Sequence, residues 1–169
     1  MKMFKMFDNS LFFLINEFQN LDEEPMIDIG CQVWLKNDDN YYEWEGMMQG
    51  PKDSPYKGAF LYFTITFDHD YPITRPEFRF SFKNMYHLNI DQNNGHVCIN
   101  ILNDWKTEKK IRIRDVIHSV YKILIKQNPD SAYGFQFKDD RIELYKKNRE
   151  KFNENAKEWV RKNALNARK

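Results

Sequence analysis

The hydrophobic period changes twice along this chain, and that switch limits the fold more than any single residue does. Between Ser10 and Leu21 the apolar residues Leu11, Leu14, Ile15, Phe18 and Leu21 recur at helical spacing. Ser10 or Asn9 can cap the first turn, and Pro25 lies beyond the end. The pattern then turns to aromatic and β-branched runs at 30–36, 42–49, 59–68 and 77–82, separated by turn-forming clusters. Residues 61–67, Leu-Tyr-Phe-Thr-Ile-Thr-Phe, alternate as a strand with one covered face does. Four such runs at hairpin spacing predict an antiparallel meander. Helical spacing returns from Arg114 with Val116, Ile117, Val120, Ile123 and Leu124, and stops at Asn128-Pro129. A last helical zone carries Phe152, Ala156, Trp159 and Val160. This order predicts an α+β fold with helices segregated from an antiparallel sheet.

A chain of 169 residues, 41% hydrophobic, has enough apolar side chains for one domain without covalent staples. Its aromatic share of 16% predicts a core rich in rings. A net charge of +1 argues against a strongly basic nucleic-acid binder and against a polybasic membrane anchor. No nucleic-acid or membrane partner is therefore expected, and a monomer is. Residues 138–169 hold 11 basic against 6 acidic side chains, which reads first as a solvated helix face. Two cysteines, Cys31 and Cys98, are too few for a disulfide scaffold, so a cytoplasmic and/or nuclear location is expected. Asp8, Asn9 and Ser10 interrupt the apolar start, which leaves no clean signal-peptide core. The expected division is an apolar extension at 1–7 and a single domain at 8–169.

Cys98 is the side chain with the most chemical promise. It lies in Gly95-His96-Val97-Cys98-Ile99-Asn100-Ile101-Leu102, within about thirty residues that lack a clear period. Long ordered loops often carry function, and a thiol needs little activation to act as a nucleophile. A buried inert thiol is the competing reading, and Cys31, beside Val33 and Leu35, fits that description well. A zinc site needs about four ligands at paired spacings, which two distant cysteines do not supply. His87, His96 and Asn89 could serve a thiol protease by residue type, but no protease signature surrounds them. No glycine-rich phosphate loop is present.

Several segments together resemble the ubiquitin-conjugating enzyme family. Gly50-Pro51-Lys52-Asp53-Ser54-Pro55-Tyr56-Lys57-Gly58 is similar to its inter-strand GPxDSPYxGG loop, and Tyr71-Pro72-Ile73-Thr74-Arg75-Pro76 to its YPxxPP. His87-Leu88-Asn89 is similar to its His-Pro-Asn tripeptide, and residues 95–102 with Trp105 to its active-cysteine segment. Asn128-Pro129-Asp130 falls where the family has Pro-Asn-Pro-Asp. The tail around Arg149, Phe152, Ala156 and Trp159 looks like its last helix.

This resemblance implies a UBC-like fold and a ubiquitin-conjugating enzyme with no metal or cofactor. Cys98 would accept ubiquitin as a thioester from an activating enzyme and pass it to substrate lysines, usually beside a ligase. Asn89 would be its catalytic companion, hydrogen-bonding the oxyanion or bracing the loop. His87, Tyr86 and Ser131 would support the site, His87 by holding the loop and Ser131 near the incoming lysine. Partner contacts would involve Ile73, Lys106 and Thr107 on the ligase side. Leu88 and Arg75 replace family prolines, Ile73 replaces an aromatic, and Lys106-Thr107-Glu108 replaces Ser-Pro-Ala. The first helix also lacks the basic residues relatives commonly show. Met3, Phe4, Met6 and Phe7 instead look like the docking peptide of enzymes that carry the Nedd-type modifier. A Nedd-type conjugating enzyme and a non-catalytic scaffold are therefore the alternatives.

Overall fold

The computed structural model describes residues 9–106, 109–133, 137 and 139–166. The elements run α1 (Asn9–Glu23), β1 (Gln32–Leu35), β2 (Glu43–Gln49), β3 (Phe60–Thr66), β4 (Glu77–Phe80), α2 (Asn100–Asn103), α3 (Ile113–Ile125), α4 (Arg141–Lys147) and α5 (Arg149–Asn163). Short 3₁₀ turns lie at Ile27–Ile29 and Pro129–Ser131. The sheet order is β1-β2-β3-β4 with every pair antiparallel, which is the expected meander.

Alternation in β2 and β3 selects the covered face: Trp44, Gly46 and Met48 are buried, as are Leu61, Phe63 and Ile65. Register then places Trp44 opposite Ile65, Ile65 opposite Phe78, and Phe63 opposite Phe80. Phe63 and Phe78 stack with centroids 4.6 Å apart. Gly46 faces Phe63, and a Cβ there would lie 2.4 Å from the ring, so only glycine admits this close approach. Truncating Phe63 to alanine removes the centre of this layer, a loss of roughly 3–5 kcal/mol for a buried phenylalanine.

Helix α1 contributes Leu14 and Leu21 to the core, and Phe18 meets Trp44 edge-on at 5.2 Å. It starts earlier than the spacing predicts: Asn9 and Ser10 lie inside its first turn, and Ser10 Oγ hydrogen-bonds the Tyr42 hydroxyl at 2.7 Å. Helix α3 buries every predicted position from Val116 to Leu124 but ends at Ile125, short of Asn128-Pro129. The Ile113 N–H donates to Glu17 Oε2 at 3.2 Å, joining α3 to α1, and burial pushes the Glu17 carboxyl up. The last helical zone divides into α4 and α5 at Asn148, whose side chain caps α5 by accepting from the Lys151 N–H. Phe152, Ala156, Trp159 and Val160 form the buried stripe of α5. The Phe60 N–H donates to Ala164 O at 2.8 Å, tying the end of that helix to β3.

Candidate active site

The irregular stretch after β4 is held by backbone hydrogen bonds. Asn84 N–H donates to Gln92 O, Gly95 N–H to Asp91 O, and Asp91 N–H to His96 O. Isolated bridges pair Arg79 with His96 and Ile90 with Val97. Gly95 has φ +73°, and a Cβ there would lie 2.0 Å from Phe80 O, so the segment leading to the cysteine can approach β4 only through glycine. Val97 and Ile99 are buried on either side of Cys98. Extended alternation therefore turns Cys98 outward, half-exposed, while Cys31 stays buried with its thiol pushed up to about 12 by burial.

The Cys98 backbone N–H donates to Asn89 O at 2.9 Å, which couples the cysteine to the His87-Leu88-Asn89 segment. The Asn89 amide is buried, with Nδ2 donating to Asn128 O at 2.7 Å and to Ser131 O at 3.0 Å. Its Oδ1 accepts from the Asn128 N–H at 2.8 Å. Both hydrogens of Nδ2 are occupied, so this arrangement performs the bracing role and leaves no N–H aimed at an oxyanion.

His87 is fully buried. Its Nδ1 accepts from the Asn89 N–H at 2.9 Å, which leaves Nε2–H to donate to Ile123 O at 3.1 Å. Burial drives the imidazole down to about 3. A neutral ring with both nitrogens engaged holds the loop and has no lone pair available for a substrate proton.

Leu88 shows how the chain manages without two family prolines. Its N–H donates to Gln127 Oε1 at 2.8 Å, and Gln127 itself stands where the first proline of Pro-Asn-Pro-Asp would be. Gln127 Nε2 donates to the Tyr56 hydroxyl at 3.1 Å, and that hydroxyl donates to Tyr86 O at 2.6 Å. Tyr145 OH closes the network on Gln127 O at 2.9 Å. The Ser54-Pro55-Tyr56 turn thus reaches the underside of the active loop. Tyr86 does so from the other side: its hydroxyl accepts from Asn155 Nδ2 at 3.2 Å, and its ring packs on Phe152 and under Arg141.

Cys98 opens on a groove of about 350 Å³ lined by Ile101, Ser119, Lys122, Asn128 and Ser131. Ser131 Oγ accepts from Asn128 Nδ2 at 3.2 Å, so it is oriented at the rim by the segment Asn89 braces. Outside that lining, Asn103 Nδ2 donates to Cys98 Sγ at 3.5 Å. Arg75 Nη1 donates to Leu102 O at 3.0 Å and to Asn103 Oδ1 at 3.5 Å. Tyr71 is buried, and Trp105 Nε1 donates to Pro72 O at 2.9 Å, which brings the 71–76 motif beside the cysteine segment. His96 Nδ1 and the Tyr133 hydroxyl are 2.8 Å apart in a hydrogen bond.

The structure therefore assembles Cys98, Asn89, His87 and Ser131, with Tyr86 one layer behind. Ile73, 76% exposed, and Lys106, also exposed, lie on the surface, apart from the groove lining. Met3, Phe4, Met6, Phe7 and Thr107 fall outside the described residues. Gln127, Tyr56, Asn103 and the Arg75 contact were not legible as site residues in the sequence. The available signals were replaced prolines: Gln127 and Leu88 on two segments that must meet, and Arg75 in the 71–76 motif.

A four-stranded meander, a helix before it, helices after it and an outward cysteine at a braced loop define the conjugating-enzyme class of fold and site. The family model "Ubiquitin-conjugating enzyme" matches residues 13–160, and the chain belongs to that family. Among solved structures it is similar to a crystal structure from Plasmodium yoelii provisionally named a ubiquitin conjugating enzyme. The two share 26% sequence identity with a TM-score of 0.76, over 99% of this chain and 100% of the other.

Proposed function

We propose that this conjugating enzyme accepts ubiquitin from an activating enzyme as a thioester on Cys98 and transfers it to substrate lysines, usually with a ligase. The observation that carries this reading is the single half-exposed thiol at the lip of the groove, its segment fixed by buried neighbours on both sides. The reaction suits such a site, because a thioester carbonyl needs placement and charge stabilisation more than a strong base. The chain contributes the nucleophile, a shallow track for an extended modifier tail, and a rim at Asn128 and Ser131 where an amine can approach. With His87 locked neutral, the lysine proton leaves to solvent.

A Nedd-type modifier is the second reading, supported by the absence of basic side chains in α1 and by the resemblance of Val97-Cys98-Ile99-Asn100-Ile101-Leu102 and Asp104-Trp105-Lys106 to the branch that carries it. Separate charging reactions, each with one activating enzyme and its own modifier, test the choice. A thiol-sensitive adduct with the ubiquitin pair is expected. An adduct with the Nedd-type pair alone reverses the assignment, and none with either favours a scaffold. Cytoplasmic and/or nuclear location and action as a monomer are part of the same proposal.

A further inference from the structure

We propose that Asn103 is a catalytic residue for the thioester chemistry, donating its side-chain N–H to the Cys98 sulfur whenever that sulfur carries negative charge. Arg75 is the positioning residue that holds the amide in place. The proposal rests on the reading of Cys98 as the thioester carrier. It adds a donor outside the family tripeptide.

Local geometry produces the contact. Helix α2 begins two residues after Cys98, and the Asn103 N–H bonds back to Ile99 O at 3.1 Å. Side chains on a helical turn tilt toward its N-terminus, so position 103 leans over Cys98. Sulfur is large and accepts at longer range than oxygen, which makes 3.5 Å an N–H···S contact. The orientation of an Asn amide must be decided from its partners. Here Arg75 decides it. A guanidinium only donates, and its Nη1 faces Asn103 Oδ1 while also bonding Leu102 O, so Nδ2 is the end left toward Sγ. Arg75 departs from the family's double proline, and this departure supplies the contact.

The sulfur is anionic at the start of loading and at the end of discharge. In loading, Cys98 gives its proton to solvent and attacks the carbonyl carbon of the modifier's existing thioester. A new C–S bond forms, the old one breaks, and its electron pair leaves on the activating enzyme's sulfur, which takes up a proton. In discharge the lysine nitrogen attacks the same carbon. The C–N bond forms, the C–S bond breaks with its pair returning to Cys98 Sγ, and the amine proton passes to solvent. A neutral thioester sulfur accepts weakly and a thiolate strongly, so the donor favours the charged ends of both steps over the loaded state. Asn89 cannot substitute, because both its N–H groups are engaged by Asn128 and Ser131.

Alkylation of Cys98 by iodoacetamide in the full-length, uncharged protein, located by mass spectrometry, reads the thiolate without any modifier. Asn103→Asp keeps the shape and replaces the donor by a carboxylate. Its alkylation near pH 7 should fall about three- to tenfold, a charge-assisted bond discounted for exposure, and its pH–rate profile should move to higher pH. Asn103→Ala and Arg75→Ala should move the same way by smaller factors, with Arg75→Lys recovering part of the loss. Discharge of preloaded protein to free lysine should slow in the same order. Superimposable alkylation profiles for wild type, Asn103→Asp and Asn103→Ala would overturn the proposal. So would altered alkylation with unaltered discharge. An effect at Asn103 with none at Arg75→Ala removes the positioning role. Failure of every modifier to charge Cys98 would instead overturn the conjugating reading, whatever the alkylation shows.

Discussion

The backbone N–H of Leu88 donates to the side-chain Oε1 of Gln127 at 2.8 Å, a bond that a proline at position 88 could not make. Where the family fixes two segments with prolines, this chain ties them with one buried amide, itself held by Tyr56. Gln127→Leu should leave the buried Leu88 N–H unsatisfied at a cost of about 1–3 kcal/mol. Leu88→Pro should leave Gln127 Oε1 unpaired at similar cost. Urea unfolding of both single variants and the double variant checks this. The double should lose clearly less than the two singles together, because the second change removes a group already without its partner. Strict additivity would show that the bond does not form.

His87 makes stability depend on pH. Its folded-state value lies near 3, against 6.5 for an unperturbed histidine. The unfolded chain therefore binds the proton more readily, and this contribution is whole above about pH 6.5 and lost as pH falls toward 3. The slope is at most about 1.4 kcal/mol per pH unit, so roughly 2–3 kcal/mol should disappear between neutral pH and pH 4.5. Asp139, which the Arg141 guanidinium holds below the usual carboxylate range, acts in the same direction lower down. Urea midpoints at pH 7 and pH 5 should fall steeply for wild type and much less for His87→Gln. Equal slopes would contradict the buried neutral ring.

Asn89 is expected to act through the 128–131 segment. Asn89→Ala removes two donors and one acceptor from a largely buried cluster, a loss of about 1–3 kcal/mol for the part-buried groups it leaves unpaired. Loading and discharge should both slow, by comparable factors, since the whole rim shifts. Single-turnover measurements of each step decide the point. Normal loading with selectively slow discharge would show instead that the amide turns to the oxyanion during reaction.

Much of the fold was legible because periodicity reports burial. Leu61, Phe63 and Ile65 alternate in the sequence and are buried together in β3. Val116 to Leu124 likewise lie on one face of α3. The break between α4 and α5 was not visible, since it depends on the Asn148 cap and not on any change of period. Cys98 and Asn89 were legible as motif residues, but the partners of Asn89 were not. A hydrogen bond between residues 39 apart depends on how two loops meet, and composition does not record that. Asn103 was hidden for another reason: an exposed polar residue in a short helical turn looks like any other until Arg75, 28 residues earlier, orients its amide.

Cys98, and not Cys31, is expected to carry the modifier. Wild type, Cys98→Ser, Cys98→Ala and Cys31→Ser can each be incubated with activating enzyme, ATP and ubiquitin, then resolved on gels with and without reductant. Wild type and Cys31→Ser should give an adduct that reductant removes, Cys98→Ser at most one that resists it, and Cys98→Ala none. A reductant-sensitive adduct on Cys98→Ala would place the nucleophile elsewhere and contradict the assignment.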